Sequence, residues 1–243
     1  MKSQLLDSQD DLIDRRQKGG FIDAGAINNW RIFRIMAEFV EGWQFLSHYN
    51  KKVTIFGSAR SSPESKWYKE AVKLGKMLAE DGFDIVTGGG PGIMEAANRG
   101  ASDASKNKKD SKKIIGESIG LDIQLPLEQR KNKYVQKGRG FYYFFVRKVM
   151  LSYHSRGYVF FPGGYGTLDE VFELLTLVQT NKLDRVPIIL AGKDYWNPLL
   201  DWLKTTVFGQ SRNISKEDLD IYSIVDTAEE IYSIIKKSVN KVK

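Results

Sequence analysis

The chain has 243 residues, 42% of them hydrophobic, which fits one large domain or at most two and is ample for a sizeable core. It has no cysteine and only two histidines, His48 and His154, which excludes disulfides and thiolate metal sites and leaves a histidine-built site short of ligands, so no metal is expected. Much of its formal charge of +7 sits in local runs such as KNKKDSKK (Lys106 to Lys113) and the terminal KKSVNKVK, which read as solvated loops and tails, compatible with an anionic small substrate and not with a nucleic-acid surface.

Residues 1–30 are polar and poorly periodic and read as an arm; their charges exclude the apolar core of a signal peptide, and no run long enough to span a membrane follows, so a cytoplasmic protein without a membrane partner is expected. RIFRIMAEFVEGWQFLSHY, from Arg31, repeats apolar residues at helical spacing and predicts an N-terminal helical extension. A recurring unit follows: a short apolar run, a glycine-bearing turn, a helix. The runs begin at Val53 (VTIFGS), Phe83 (FDIVTGGG), Lys113 (KIIGESIG), Gly157 (GYVFFPGG), Val186 (VPIILAG) and Ile221 (IYSIV). Apolar on both faces, most of them suit buried parallel strands.

Helical patterns fill the intervals at Glu64–Gly82, Gly92–Ala101, Arg147–Ser155, Gly166–Thr180 and from Asp194, and Thr227 with Glu230 is spaced as a capping box for a last helix. The alternation predicts a doubly wound, mostly parallel α/β sheet, one Rossmann-like nucleotide-binding domain over residues 31–243, with ligands at the carboxyl ends of the strands.

Three glycine-bearing turns follow apolar runs: FGSAR (Phe56 to Arg60), TGGGPGIMEAA (Thr87 to Ala97) and PGGYGT (Pro162 to Thr167). The last two feed helices whose first N–H groups lack internal partners, and such ends meet phosphate oxygens directly. Gly88, Gly89 and Gly90 of one turn and Gly163, Gly164 and Gly166 of the other are therefore candidate phosphate-binding residues, with Ser58 and Thr167 as hydroxyl donors. Neither turn ends in the lysine and hydroxyl of a P-loop, and neither completes GxGxxG, so a nucleotide phosphate is expected without support for ATP hydrolysis or hydride transfer. Glu95, just inside the helix after GGGPG, either contacts ribose hydroxyls or caps its helix.

PGGYGTLDE resembles the PGGxGTxxE signature of the Lonely Guy family of cytokinin-activating phosphoribohydrolases, and GGGPGIMEAANRGA its other glycine-rich signature. LPLEQRKNKYV, FYYFFVRKVM and LTLVQTNKLDRVPIIL are similar to the longer, bacterial-type branch, and the resemblance runs from about Val53 to Leu203. It implies hydrolysis of the N-glycosidic bond of nucleoside 5′-monophosphates, AMP or N6-substituted cytokinin forms, with no cofactor.

The catalytic pair it implies is Arg147 and Glu170. A carboxylate near the anomeric carbon stabilises an oxocarbenium-like sugar and orients water, while a guanidinium binds the departing base, the ribose or the phosphate. Lys148, beside Arg147, is counted with the substrate-binding residues. Outside the motif, Glu170 would read as a helix-dipole residue in a first turn and Arg147 as a surface charge. The alternative is a binding module like the molybdenum-cofactor carriers, which share the fold. Lysine decarboxylation, a label this family has carried, requires a Schiff-base lysine for which no candidate stands out. The resemblance and the aromatic stretches predict a homodimer or larger assembly.

Overall fold

In the computed structural model, the described residues are 31–106, 114–124 and 131–241, and the chain divides into two compact units, residues 1–37 and 38–243. Of the first unit, residues 31–37 are described and all are helical. They open helix α1 (Arg31–Leu46), which ends within the second unit.

The second unit alternates strand and helix along its length: β1 (Lys52–Phe56), α2 (Lys66–Glu80), β2 (Asp84–Thr87), α3 (Ile93–Lys106), β3 (Ser118–Ile123), β4 (Lys137–Phe141), α4 (Phe144–Leu151), β5 (Tyr158–Phe160), α5 (Tyr165–Gln179), β6 (Ile188–Ala191), α6 (Lys193–Trp202), β7 (Tyr222–Val225) and α7 (Ala228–Lys241). The seven strands form one parallel sheet in the order β4-β3-β2-β1-β5-β6-β7. From β1 the chain winds outward to β4, then returns to β5 on the other side of β1. The β1–β5 boundary is thus a topological switch point, where the two flanking turns part and leave a crevice.

The sheet is apolar where the runs are continuous. Val53 and Ile55 of β1, Ile85 of β2, Val159 of β5 and Ile189 of β6 pack against Leu74 and Leu78 of α2, Ile93 of α3 and Ile231 and Ile235 of α7. On the opposite face Phe56 stacks on Phe160 with ring centroids 4.7 Å apart. Glu38 accepts the N–H groups of Tyr142 (2.9 Å) and Tyr143 (3.1 Å) just before α4, placing a carboxylate where the dipole of that helix favours one.

Most expected strands and helices are present, with four differences. β4, KGRGF, was absent from the sequence reading because an edge strand with two glycines and two cations carries no apolar run. β3 begins at Ser118, several residues after the expected Lys113, which lies outside the described residues. The helical run from Asp194 gives way after Trp202 to π-helical Leu203–Gln210. α4 ends at Leu151, so His154 lies beyond the helix, in a left-handed conformation (φ 48°). The capping box is as read: Glu230 N–H donates to Thr227 Oγ1 (3.3 Å) and Thr227 N–H to Glu230 Oε2 (3.1 Å). Among the described residues, no helix is long and apolar enough to cross a membrane.

Candidate functional site

The turns after β1, β2 and β5 meet at the carboxyl edge of the sheet, beside the end of β3 and one face of α4, and enclose a cavity of about 880 Å³. Of the residues singled out from sequence, Ser58, Gly88, Arg147, Gly164, Gly166, Thr167 and Glu170 line it. The lining does not include Gly89, Gly90, Glu95, Lys148 or Gly163.

The α5 end of the cavity has the properties of an anion site. Gly164 caps the helix without a side-chain partner, and both Thr167 N–H (2.9 Å) and Leu168 N–H (3.1 Å) return to the Gly164 carbonyl. The N–H groups of Tyr165 and Gly166 open the helix and have no residue of it behind them. A Cβ built at Gly164 or Gly166 would meet nothing within 4 Å. Neither position has a positive φ, so nothing in the protein itself demands glycine there, and open space lies where a ligand would approach.

The GGGPG turn, the other candidate phosphate loop, is packed differently. A Cβ at Gly88 would lie 2.3 Å from Arg147 Nη2, and Gly92 has a left-handed φ of 68°. The first N–H of α3, from Ile93, already donates to the Ser58 carbonyl at 3.0 Å. These glycines serve close packing of the turn and of Arg147. Ser58 is likewise engaged at its hydroxyl, which accepts Arg60 N–H at 3.1 Å.

Arg147 projects from α4 across the strand ends, donating Nε–H to the Leu121 carbonyl (2.7 Å) and Nη2–H to the Gly88 carbonyl (3.3 Å). Two of five N–H donors are thereby fixed, leaving three for a ligand. Burial pulls the guanidinium below its usual pKa range, opposed by the charges of Glu170 and Asp122.

Glu170 lies in the second turn of α5, not the first as the sequence suggested, because the helix begins at Tyr165. The dipole benefit has faded there, and the side chain is only 5% exposed. Burial pushes its carboxyl up to about 8, with the Lys148 ammonium pulling the other way and Glu173 and Asp169 adding to the rise. Glu170 Oε2 is buried without a hydrogen-bond donor. A protonated Glu170 can share its proton with the neighbouring Glu173 carboxyl, whereas the ionised form leaves that oxygen without a hydrogen-bond donor.

Lys148 does not line the cavity: its ammonium bonds Asp169 Oδ2 at 2.5 Å and lies 3.4 Å from Glu173 Oε2, tying α4 to α5 behind Glu170. Glu95 accepts Tyr68 Oη–H at 3.4 Å, outside the lining. Sequence reasoning missed Met94, Phe144 and Tyr165 in the lining, and Asn98, buried under the GGGPG turn. The side chain of Asn132 bonds the carbonyls of Gly89 and Gly90. Among the described residues no group of three or more His, Asp or Glu side chains is placed to hold a metal ion.

A family model described as "Possible lysine decarboxylase" matches residues 94–235. The cytokinin riboside 5′-monophosphate phosphoribohydrolase LOG3 of Arabidopsis thaliana is 26% identical over 189 residues, covering 74% of this chain and 80% of that one. LOG4 of the same plant is 26% identical over 188 residues, covering 74% and 79%. Among solved structures, the molybdenum cofactor carrier protein of Chlamydomonas reinhardtii aligns with a TM-score of 0.55 at 18% identity, covering 78% of this chain and 99% of that one. The molybdenum cofactor binding protein of Rippkaea orientalis aligns with a TM-score of 0.53 at 22% identity, covering 77% and 95%. These two likenesses establish the fold.

Proposed function

The chain belongs to the possible lysine decarboxylase family, that of the Lonely Guy phosphoribohydrolases, and on that premise we propose that it hydrolyses the N-glycosidic bond of nucleoside 5′-monophosphates, AMP or N6-substituted forms of it. The carrying observation is that a buried carboxyl pushed up to about 8 shares one cavity with a guanidinium and an open helix N-terminus. In this reading the 5′-phosphate sits on the α5 N-terminus at Gly164, Gly166 and Thr167, where N–H groups and the helix dipole meet negative charge.

With the phosphate held there, C1′ faces Glu170 and Arg147. As the C1′–N bond breaks, its electron pair leaves with the base, and the free N–H donors of Arg147 stabilise the growing charge. Positive charge develops on the ribose ring opposite the ionised form of Glu170. Water then adds its oxygen to C1′ and yields a proton to Glu170, which passes it on to the departing base. A carboxyl whose pKa lies near the working pH suits that transfer, because it can hold the proton and release it again. Free base and ribose 5-phosphate result.

The label of lysine decarboxylase finds no support in the side chains. The lining of the cavity holds no lysine to form a Schiff base, and the amine of Lys148, next to Arg147 in the chain, is engaged by two carboxylates. A carrier role rests on the fold likeness alone and gives no reason for a buried, donor-less carboxyl. The proposal includes assembly as a homodimer or larger, which light scattering on the purified protein would test.

A panel of AMP, GMP, CMP and isopentenyladenosine monophosphate, with adenosine as the phosphate-free control, tests the reading by chromatography of the released base. Release from at least one monophosphate and none from adenosine is expected. Release from none, with AMP bound, would leave a binding protein.

A further inference from the structure

The three polar residues Thr87, Asn98 and Asn132 are buried under the GGGPG turn, on no wall of the cavity. Thr87 Oγ1 donates to Asn98 Oδ1 (2.6 Å) and accepts the N–H of Gly89 (3.0 Å). Asn98 Nδ2 reaches across to β3, at Ser118 Oγ (2.9 Å) and the Ile119 carbonyl (3.2 Å). Asn132 Nδ2 lies within bonding distance of the Gly89 carbonyl (3.1 Å), the Gly90 carbonyl (3.0 Å) and Asn98 Oδ1 (3.0 Å), so its two hydrogens are shared among three acceptors. Asn132 N–H adds a bond to Gly89 O (2.9 Å), and its own Oδ1 accepts Tyr134 N–H (3.1 Å). Every amide atom in this network is satisfied, and such a network rigidifies what it holds.

What it holds is the carbonyl that orients Arg147. Gly88 O accepts from Arg147 Nη2, and Gly88 is the residue between Thr87 and the clamped Gly89. The second anchor of the guanidinium, Leu121 O, belongs to β3, the strand that Asn98 grips two and three residues upstream. One network therefore fixes both supports of Arg147 from behind.

Resting on the reading of Arg147 given above, we propose that Asn132, with Asn98 and Thr87, forms a positioning relay that sets the guanidinium for glycosidic cleavage. The phosphate site lies on a different turn, so the relay governs turnover and not phosphate affinity.

The Nε–H of Arg147, buried and bonded to a carbonyl, gives a direct readout that needs no activity: its ¹⁵N-correlated resonance, identified by its loss in Arg147→Lys. Asn132→Ala, or Thr87→Val should the first fold poorly, is expected to shift or broaden that resonance. The same variant should lower kcat on AMP about 10–100-fold, as expected when a catalytic group is misplaced by a fraction of an ångström, with KM within about threefold of wild type. An unchanged resonance in both variants overturns the relay, as does a moved resonance with unchanged kcat in an active protein, or a loss expressed in KM alone. If the wild type cleaves no nucleotide, the proposed reaction falls while the resonance still decides whether the relay holds Arg147.

Discussion

Replacing Glu170 by Gln should cut cleavage by about 10²-fold or more and at the same time stabilise the protein. The carboxyl is raised from its usual 4.5 to about 8 in the folded state, chiefly by burial. Between those two values the folded protein binds a proton that the unfolded chain has released, so stability falls as pH rises through that window. At about 1.4 kcal/mol per pH unit, the penalty at pH 7.5 reaches about 4 kcal/mol. The Gln side chain escapes it but leaves a buried amide imperfectly bonded, at about 1–3 kcal/mol. A net gain of about 1–3 kcal/mol remains, or roughly 3–10 °C in Tm for a chain of this size. Thermal melts of both proteins from pH 5 to 8 read this directly: the gap should be small or reversed near pH 5 and widen upward. A gap independent of pH, or a Gln variant less stable at pH 8, would refute the inference that Glu170 is strained by its own charge.

Gly166→Ala should leave Tm within about 1 °C, because its Cβ enters open space, yet raise KM for AMP at least tenfold by obstructing the approach of phosphate to the α5 end. Gly88→Ala should act on kcat instead, its Cβ displacing the Arg147 guanidinium that lies 2.3 Å away. Lys148→Met removes the charge that holds the Glu170 carboxyl down, so the acid limb of the kcat profile should move to higher pH; an unmoved limb would detach Lys148 from the titration. Thr227→Ala breaks the capping box of α7 and should cost about 1 kcal/mol in urea unfolding without altering cleavage.

Where the sequence was legible, it was because burial on both faces writes an unbroken apolar run. VTIF, YVFF and PIIL declare central parallel strands, and the glycine turns after them declare the ligand edge. KGRGF, at the sheet edge, carries no such mark. The two glycine turns looked alike in one dimension, and only their neighbours separate them: Gly88 is crowded by Arg147, whereas Gly164 and Gly166 face open space. Lys148 was misplaced for the same reason, since its partners Asp169 and Glu173 lie a strand and a turn further along the chain. The Asn98–Asn132 bond spans 34 positions, and no local pattern encodes it. Arg147 and Glu170, by contrast, were reachable through their motifs, and they line one cavity.

The most direct test of the proposed chemistry is to incubate wild type and Glu170→Gln, at equal concentration and confirmed folded, with AMP and with isopentenyladenosine monophosphate, and to quantify free base and ribose 5-phosphate. Wild type should release both products in equal amounts from at least one substrate, and the variant should fall by about 10²-fold or more while still binding the nucleotide. Undiminished release by the variant would remove Glu170 from the reaction, and no release by wild type would contradict the phosphoribohydrolase itself.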